Sequence, residues 1–458
     1  MIFCLASLEI FLSYSPTKAA TYYVSTTGND ANSGTKTSPW KTLQKATSTV
    51  DAGDTIYVRA GIYRETVSIS KSGTVDSPIT VSSYPNEQAI IEGNNTLPGS
   101  RYGKLVNING SYTIFKNFEV RNSNGRGIQV SGSYNFVTGN NIHHIWDCGI
   151  CIKGSNITVE NNRVWRSVES NYNRDNGTWS GAIAWGASRY PNVAPNAVIR
   201  RNLVYQNSGE GILCMYTDYG MVDGNIVYDN WAMNIYVDQC SNMTIQNNLA
   251  YYTIDKQFWR NSTVPKNGIV LANEGIQPYP IGHDRKIINN ILVNNGVNIG
   301  FWTGRVPGAS LVNDLIANNT LINAYSKGIR IDNGPHRQTR IINNIVLQST
   351  GTAAEISGGG LTFSNNLWYP INGITGAGDI RQDPKLLNPS ATIRAGQVDS
   401  LWYTLRDSTS PAINAGTNTI QVTTDFFGTK RSKPPDIGAH EYGLVHNLWS
   451  EKNKRWKQ

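Results

Sequence analysis

Two acidic side chains stand out in the middle of the chain: Glu210, in the run GEGIL, and Asp238, in NIYVDQC. A carboxylic acid and a carboxylate on neighbouring segments can serve as general acid and base in glycoside hydrolysis. The same oxygens could instead hold a calcium ion bridging protein and sugar carboxylates, with Asp238 as the candidate metal ligand. A second constellation is basic. Lys256 and Arg260, four residues apart, flank Trp259, and Lys153 and Arg174 lie upstream. Such cations suit β-elimination, in which a base removes the proton α to a carboxylate while positive charge neutralises the developing enolate. A lysine serves as that base only if its pKa is lowered. Trp179, Trp185, Trp259 and Trp302 offer flat rings that can stack on sugar faces. Each reading has a plain counterpart: a turn-capping carboxylate, a solvated charged loop, or a tryptophan packed under an insertion.

The elements that would position these residues are visible as a repeat. The segments KNFEV, NNIHHI, NNRVW, RNLVY, GNIVY, NNLAY, NNILV, NNTLI, NNIVL and NNLWY align on Asn117, Asn141, Asn162, Asn202, Asn225, Asn248, Asn290, Asn319, Asn344 and Asn366. Most spacings are 21–25 residues, while 162→202 and 248→290 are nearly doubled. A second motif recurs between the asparagines: GIQV, GICI, AIAW, GILC, NIYV, GIVL, NIGF and GIRI. Short alternating strands joined by Gly/Asn turns cannot bury their apolar face alone, so successive units must stack. Strands of successive repeats then pair in parallel, with the asparagines as a ladder at a left-handed turn. Right-handed crossovers are the rule for parallel pairing, and the leucine spacing does not fit a leucine-rich repeat. The expected fold is all-β: a right-handed parallel β-helix of ten or more coils. The two long gaps predict insertions near 166–180 and 252–267, flanking one groove. Counting from the inward isoleucines, the outward column reads Lys153, Gly186, Met215, Asp238, Ala272, Trp302 and Asp332.

Both ends carry further signals. A strand from Thr21 is followed by a helix expected over Pro39–Thr49, with Ser38 as N-cap. Such a helix would cover the open edge of the solenoid. This N-terminal stretch resembles that of the secreted pectate-lyase-like right-handed β-helix superfamily, including proteins of polysaccharide lyase family nine. Near the C-terminus, SPAINAGTNTIQVTTDFFGTKRSKPPDIGAHEYG is similar to the closing segment of that superfamily, with Asp425, Gly428, Arg431, Asp436, Gly438 and Glu441 in order. The resemblance spans roughly 21–443 and implies a β-helix that acts on polysaccharide. Family-nine lyases use a lysine base beside a calcium held by clustered aspartates. Here Asp218, Asp223, Asp229 and Asp238 are dispersed, so no residue is carried over as catalytic.

Composition fits this picture. The 458 residues include 52 asparagines, about 11%, far more than a helical protein would use. The net charge of +8 favours an acidic polymer, though the tail EKNKRWKQ supplies part of it. No Lys/Arg cluster interleaved with aromatics points to nucleic acid. Residues 1–20 read as a secretion signal, which implies a secreted, extracellular or periplasmic protein. No later stretch is long and apolar enough to span a membrane. Cys148, Cys151, Cys214 and Cys240 read as isolated buried thiols, and His144, Cys148 and Cys151 lack a second ligand pair for a zinc site. The expected organisation is a signal (1–20), a cap with first coils (21–100), repeats (101–370), a closing segment (371–443) and a basic tail (444–458). The expected function is that of a monomeric polysaccharide lyase acting on an acidic, uronate-containing polymer. A glycoside hydrolase using Glu210 and Asp238, or a non-catalytic glycan-binding surface or matrix protein, are the alternatives.

Overall fold

The computed structural model describes residues 19–173, 179–186, 193–260, 263–275, 280–304, 306–419 and 421–443. Most of the expected signal, the basic tail and Arg174 lie outside the described residues. Three parallel sheets wind around one core. The first sheet opens at Thr21–Val24 and has 13 strands, the second opens at Gly61–Tyr63 and has 12, and the third opens at Val67–Ile69 and has 11. The chain visits them in that order, once per coil, as a right-handed parallel β-helix.

Alternation explains the core. Ile150, Ile183, Ile212, Ile235, Ile269, Ile299 and Ile329 stack in register down the third sheet, and each is almost completely buried. Strands that repeat the same inward residue at a spacing of about 4.8 Å bury a continuous apolar column.

A second column is polar and equally buried. Asn140, Asn162, Asn202, Asn225, Asn248, Asn290, Asn319, Asn344 and Asn366 form a ladder at the corner between the first and second sheets. From Asn162 onward each Oδ1 accepts both the backbone N–H and the side-chain amide of the asparagine one coil earlier, at 2.9–3.1 Å. Asp379 ends the ladder by accepting the Asn366 N–H at 2.8 Å. The residue before each rung holds the left-handed conformation, as at Asn247 (φ +54°), Asn289 (φ +55°) and Asn318 (φ +54°). Two expected rungs are corrected by one place. Asn140, not Asn141, is in the ladder, and Phe118 stands where Asn117 was aligned, donating its N–H to Asn140 Oδ1.

The N-terminal helix is shorter than expected, Leu43–Thr49, with Thr42 as N-cap in place of Ser38. Asp30 causes this by taking the Thr42 N–H and hydroxyl, which fixes the cap, while Trp40 pairs beside Val24 on the open edge. Leu43 and Ala46 seal the first coil. At the other end the closing segment packs Tyr403, Phe426, Phe427 and Ile437 against the outward face of the second sheet, on Tyr228 and Tyr251. Its motif is architectural: Arg431 pairs with Glu441 at 3.2 Å and donates to Asn289 and Gly438, and Asp425 accepts the N–H groups of Phe427, Thr429 and Glu441. Cys214 and Cys240 are free and buried, as expected, whereas Cys148 and Cys151 depart from expectation by forming a disulfide. No described helix is long and apolar enough to cross a membrane.

Substituting Asn225→Leu strands the Ile199 carbonyl and both the backbone N–H and the side-chain amide of Asn202, each buried, while Asn248 Oδ1 keeps only the backbone N–H of residue 225. At about 1 kcal/mol or more per stranded group, thermal unfolding should show a loss of about 3 kcal/mol or more. An unchanged melting temperature would contradict the ladder.

Candidate functional site

The two long spacings each contain a pair of insertions, one on either edge of the third sheet. The first pair is 168–180 and 187–197, and the second is 252–268 and 273–285. Spacing alone reports only their sum, so 166–180 and 252–267 captured one wall of the groove and missed the other. On the floor between them, Gly186, Met215, Asp238, Ala272 and Trp302 stand in register, headed by Lys153 after Ile152. The outward column is as expected.

The acidic pair does not converge. Asp238 lies in register with Met215, five places beyond Glu210 on the neighbouring strand. At about 3.3 Å per residue this separates them by about 16 Å along the strand. Hydrolytic acid–base pairs stand about 5–9.5 Å apart. Both are also buried, at 4% and 3% exposure. Burial pushes the Glu210 carboxyl up to about 7, with Glu274 adding to the shift and Arg260 opposing it, and Oε2 has no hydrogen-bond partner. Burial likewise pushes Asp238 up to about 6, opposed by the Glu274 N–H that its Oδ1 accepts at 3.0 Å. Glu274, absent from the sequence reading, is bonded by the Tyr236 hydroxyl. Its only signal was an acidic residue two places beyond the strand Ile269–Ala272. A calcium ion does not fit Asp238. One of its oxygens is engaged, and no group of three or more His, Cys, Asp or Glu among the described residues could hold a metal.

The basic and aromatic candidates divide. Trp185 is two places after inward Ile183, and the alternation turns it into the core, where Nε1 donates to the Ala194 carbonyl at 2.6 Å. Trp259 is also buried, donating to Thr253 O at 3.2 Å, because its insertion folds back over it. Neither can stack on a sugar. Lys256 is exposed above the Trp259 ring at 5.4 Å, on the outside of that insertion. Arg260 lies over Trp179 at 4.5 Å and Trp231 at 5.0 Å, and so clamps a tryptophan pair. Lys153 is an exposed residue whose Nζ donates to Gly186 O at 2.8 Å; desolvation of that ammonium lowers its pKa, with Arg126 adding. Trp179 and Trp302 remain 47% and 44% exposed, as ring platforms must be.

The open chemistry lies one step further along. A cavity of about 400 Å³ sits on the third sheet, floored by Val270 and Gly300 and ringed by Lys266, Trp302, Arg330 and Asp332. Lys266 lies three residues before the strand Ile269–Ala272, at the end of the 252–268 insertion where the chain returns to the sheet. Its ammonium has no ion-pair partner among the described residues. Burial lowers its pKa and nearby Arg260 lowers it further. Across the sheet Arg330 is paired with Asp332 at 3.0 Å and approaches Glu355 at 3.6 Å. Lys266 was visible as one basic residue of its insertion. What singles it out is the return to the strand, which aims it at the floor, whereas Lys256 is left outside.

Residues 22–323 match the family model described as Pel9A-like, right handed beta helix region. Over 436 residues the chain is 23% identical to pectate lyase L of Dickeya dadantii, covering 92% of this chain and 90% of the other. A stretch of 92 residues is 38% identical to the uncharacterized protein YwoF of Bacillus subtilis, which is 20% of each chain. The crystal structure of pectate lyase Pel9A superposes with a TM-score of 0.55 at 19% identity, covering 93% of this chain and 97% of that one.

The state of Glu210 is testable through stability. Its folded pKa, about 7 against an ordinary 4.5, means the fold favours the protonated form. Its contribution is complete below about pH 4.5 and is lost as pH rises through 7, a change of ~3 kcal/mol. Glu210→Gln should flatten the fall in urea stability between pH 5 and 8, with Asp229, also near 7, leaving a residual slope. Parallel profiles for wild type and variant would show Glu210 to be solvated.

Proposed function

The chain belongs to the Pel9A-like right-handed β-helix family, and from that premise we propose that it is an exported polysaccharide lyase cleaving a uronate-containing polymer. The observation that carries this reading is Lys266, whose ammonium lines a cavity with Arg330 and Trp302, has no ion-pair partner among the described residues, and has a pKa lowered by burial. Trp302 supplies the face on which a sugar ring stacks. Arg330 binds the uronate carboxylate and stabilises the charge that builds up on it as the adjacent C–H bond breaks. Neutral Lys266 takes that proton. The electron pair forms the new C=C bond, the glycosidic C–O bond breaks, and the departing oxygen takes a proton from solvent. The clamp formed by Trp179, Trp231 and Arg260 holds the insertion that positions Lys266. No step is routed through calcium, and Glu210 and Asp238 are buried on the coils before the cavity and do not line it.

Incubation with a panel of polyuronides and neutral polysaccharides, followed by ultraviolet absorbance and by reducing ends, checks the reaction. Both signals should rise on a polyuronide. Lys266→Ala should lose at least about a hundredfold in rate with its fold intact, whereas Lys256→Ala should keep most of it. Because the neutral amine is the active form, kcat/KM should climb with pH and level off below the ordinary lysine value near 10.5. Reducing ends without absorbance would establish hydrolysis and sink the lyase reading.

Gly300 gives an independent check. A Cβ built there meets only ordinary contacts, the nearest being Val270 at 3.5 Å, so Gly300→Leu fills the cavity without strain. The expected result is lost substrate binding at an almost unchanged melting temperature. Undiminished binding would place the substrate elsewhere.

A further inference from the structure

The corner between the second and third sheets carries a feature that the cavity does not use. Tyr102, Trp146, Tyr172, Trp179 and Tyr325, 39–58% exposed, all lie at this one corner. Exposed aromatic rings scattered singly are ordinary, but rings gathered along one line need a reason. Three of them come with guanidinium groups, Trp179 with Arg260 as described above and two more. Arg101 and Arg126 lie over Tyr102 at 5.1 and 5.4 Å, and Arg166 lies over Tyr172 at 5.6 Å. Arg126 also contacts Asp147 at 3.2 Å and Gln129 at 2.7 Å, and Arg166 contacts Glu169 at 3.1 Å. These contacts fix the arginines beside the rings. The contrast is the aromatic column on the second sheet, where Trp165, Tyr205, Tyr228 and Tyr251 stack ring on ring and offer no free face.

The line points at the cavity. Arg126 and Asn267 occupy the same place on their coils, two before inward Ile128 and Ile269, and Lys266 is next to Asn267. Five coils separate them, or about 24 Å at the strand spacing. A polymer lying along the solenoid through the cavity would therefore reach Tyr102 and Arg126. A ring beside a fixed guanidinium matches a uronate, which has an apolar C–H face and a carboxylate.

We propose that Tyr102, Arg126, Trp146, Tyr172 and Arg166 form a distal subsite that grips the anionic polysaccharide chain whose cleavage point lies in the cavity. The choice of polymer rests on the lyase reading, but the grip does not depend on turnover. It makes the protein favour long chains over fragments that fill only the cavity.

The test uses the full chain and the double variant Tyr102→Ala/Tyr172→Ala, with polygalacturonate, alginate and trigalacturonate as probes. Dissociation constants are measured by gel retardation for the polymers and calorimetry for the trimer. Removal of two stacking contacts should lower the polymer-to-trimer affinity ratio about tenfold. An unchanged ratio, or no retardation of the wild type by either polymer, overturns the subsite. Retardation that depends on the tyrosines in a protein that cleaves nothing would uphold the subsite while removing the lyase reading. Turnover with an unchanged ratio would do the reverse. If the double variant is unfolded, Tyr172→Ala alone, on a separate insertion, carries the same comparison.

Discussion

From Asn140 to Asn366, each successive coil of this molecule is held at a fixed height and angle by an asparagine that has no alternative partner. The side-chain amide of each rung donates forward to the next rung and backward to a carbonyl of the preceding coil, while its oxygen receives two N–H groups, all away from water. A buried amide left with one of these bonds unmade costs more than the bond contributes when made. The rungs therefore tolerate neither a slipped strand nor an extra residue at their corner. Turns there are two residues long, as at 201–202, 224–225 and 247–248. Extra chain is displaced to the other two corners, and those corners flank the third sheet. The placement of a groove on that sheet thus follows from hydrogen bonding on the opposite side of the rod.

The closing segment makes the same division. By covering the second sheet with Phe426, Phe427 and Tyr403 it removes one of the two remaining outward faces from contact with solvent. The third sheet stays open between its walls, and its character changes along its length. Apolar Leu213, Tyr236 and Val270 occupy the centre, and cations stand at the cavity and at the N-terminal coils. The carboxyl groups of Glu210 and Asp238 are both covered from solvent, and burial raises the pKa of each. An anionic ligand therefore meets exposed arginine and lysine, while these two acids are covered from it.

How much of this was legible depended on periodicity. The inward isoleucines recur at one place in every coil, so the third sheet, its register and the outward column from Lys153 to Trp302 were all readable. Asn140 and Asn141 are adjacent and identical, and only the hydrogen bonds separate the rung from the strand residue after it. That is why the alignment slipped there and at Asn117. Loops break the period. A spacing of 42 residues does not say whether the excess sits on one side of a strand or both, nor whether Trp259 ends up inside its own insertion. Lys266 and Lys256 are ten residues apart in one loop, and the difference between them is made by where the loop rejoins the sheet. Trp185 could have been assigned to the core from its even spacing to Ile183.

Asp379 gives the rod a stop. It takes the last backbone N–H of the ladder with one oxygen, and the other is used by Trp368 Nε1 and Gly376 N–H, so no amide is passed on. The first rung and this terminator do not touch, and each of the rungs between them sees only its two neighbours. Whole coils could accordingly be copied or deleted in the N-terminal part of the ladder, ahead of the coils that the closing segment covers, without rebuilding either end. Each copy would move the two ends apart by one strand spacing. In such a lineage the length of the groove becomes a matter of coil copy number, adjustable in whole-coil steps while the chemistry at any one coil is left alone.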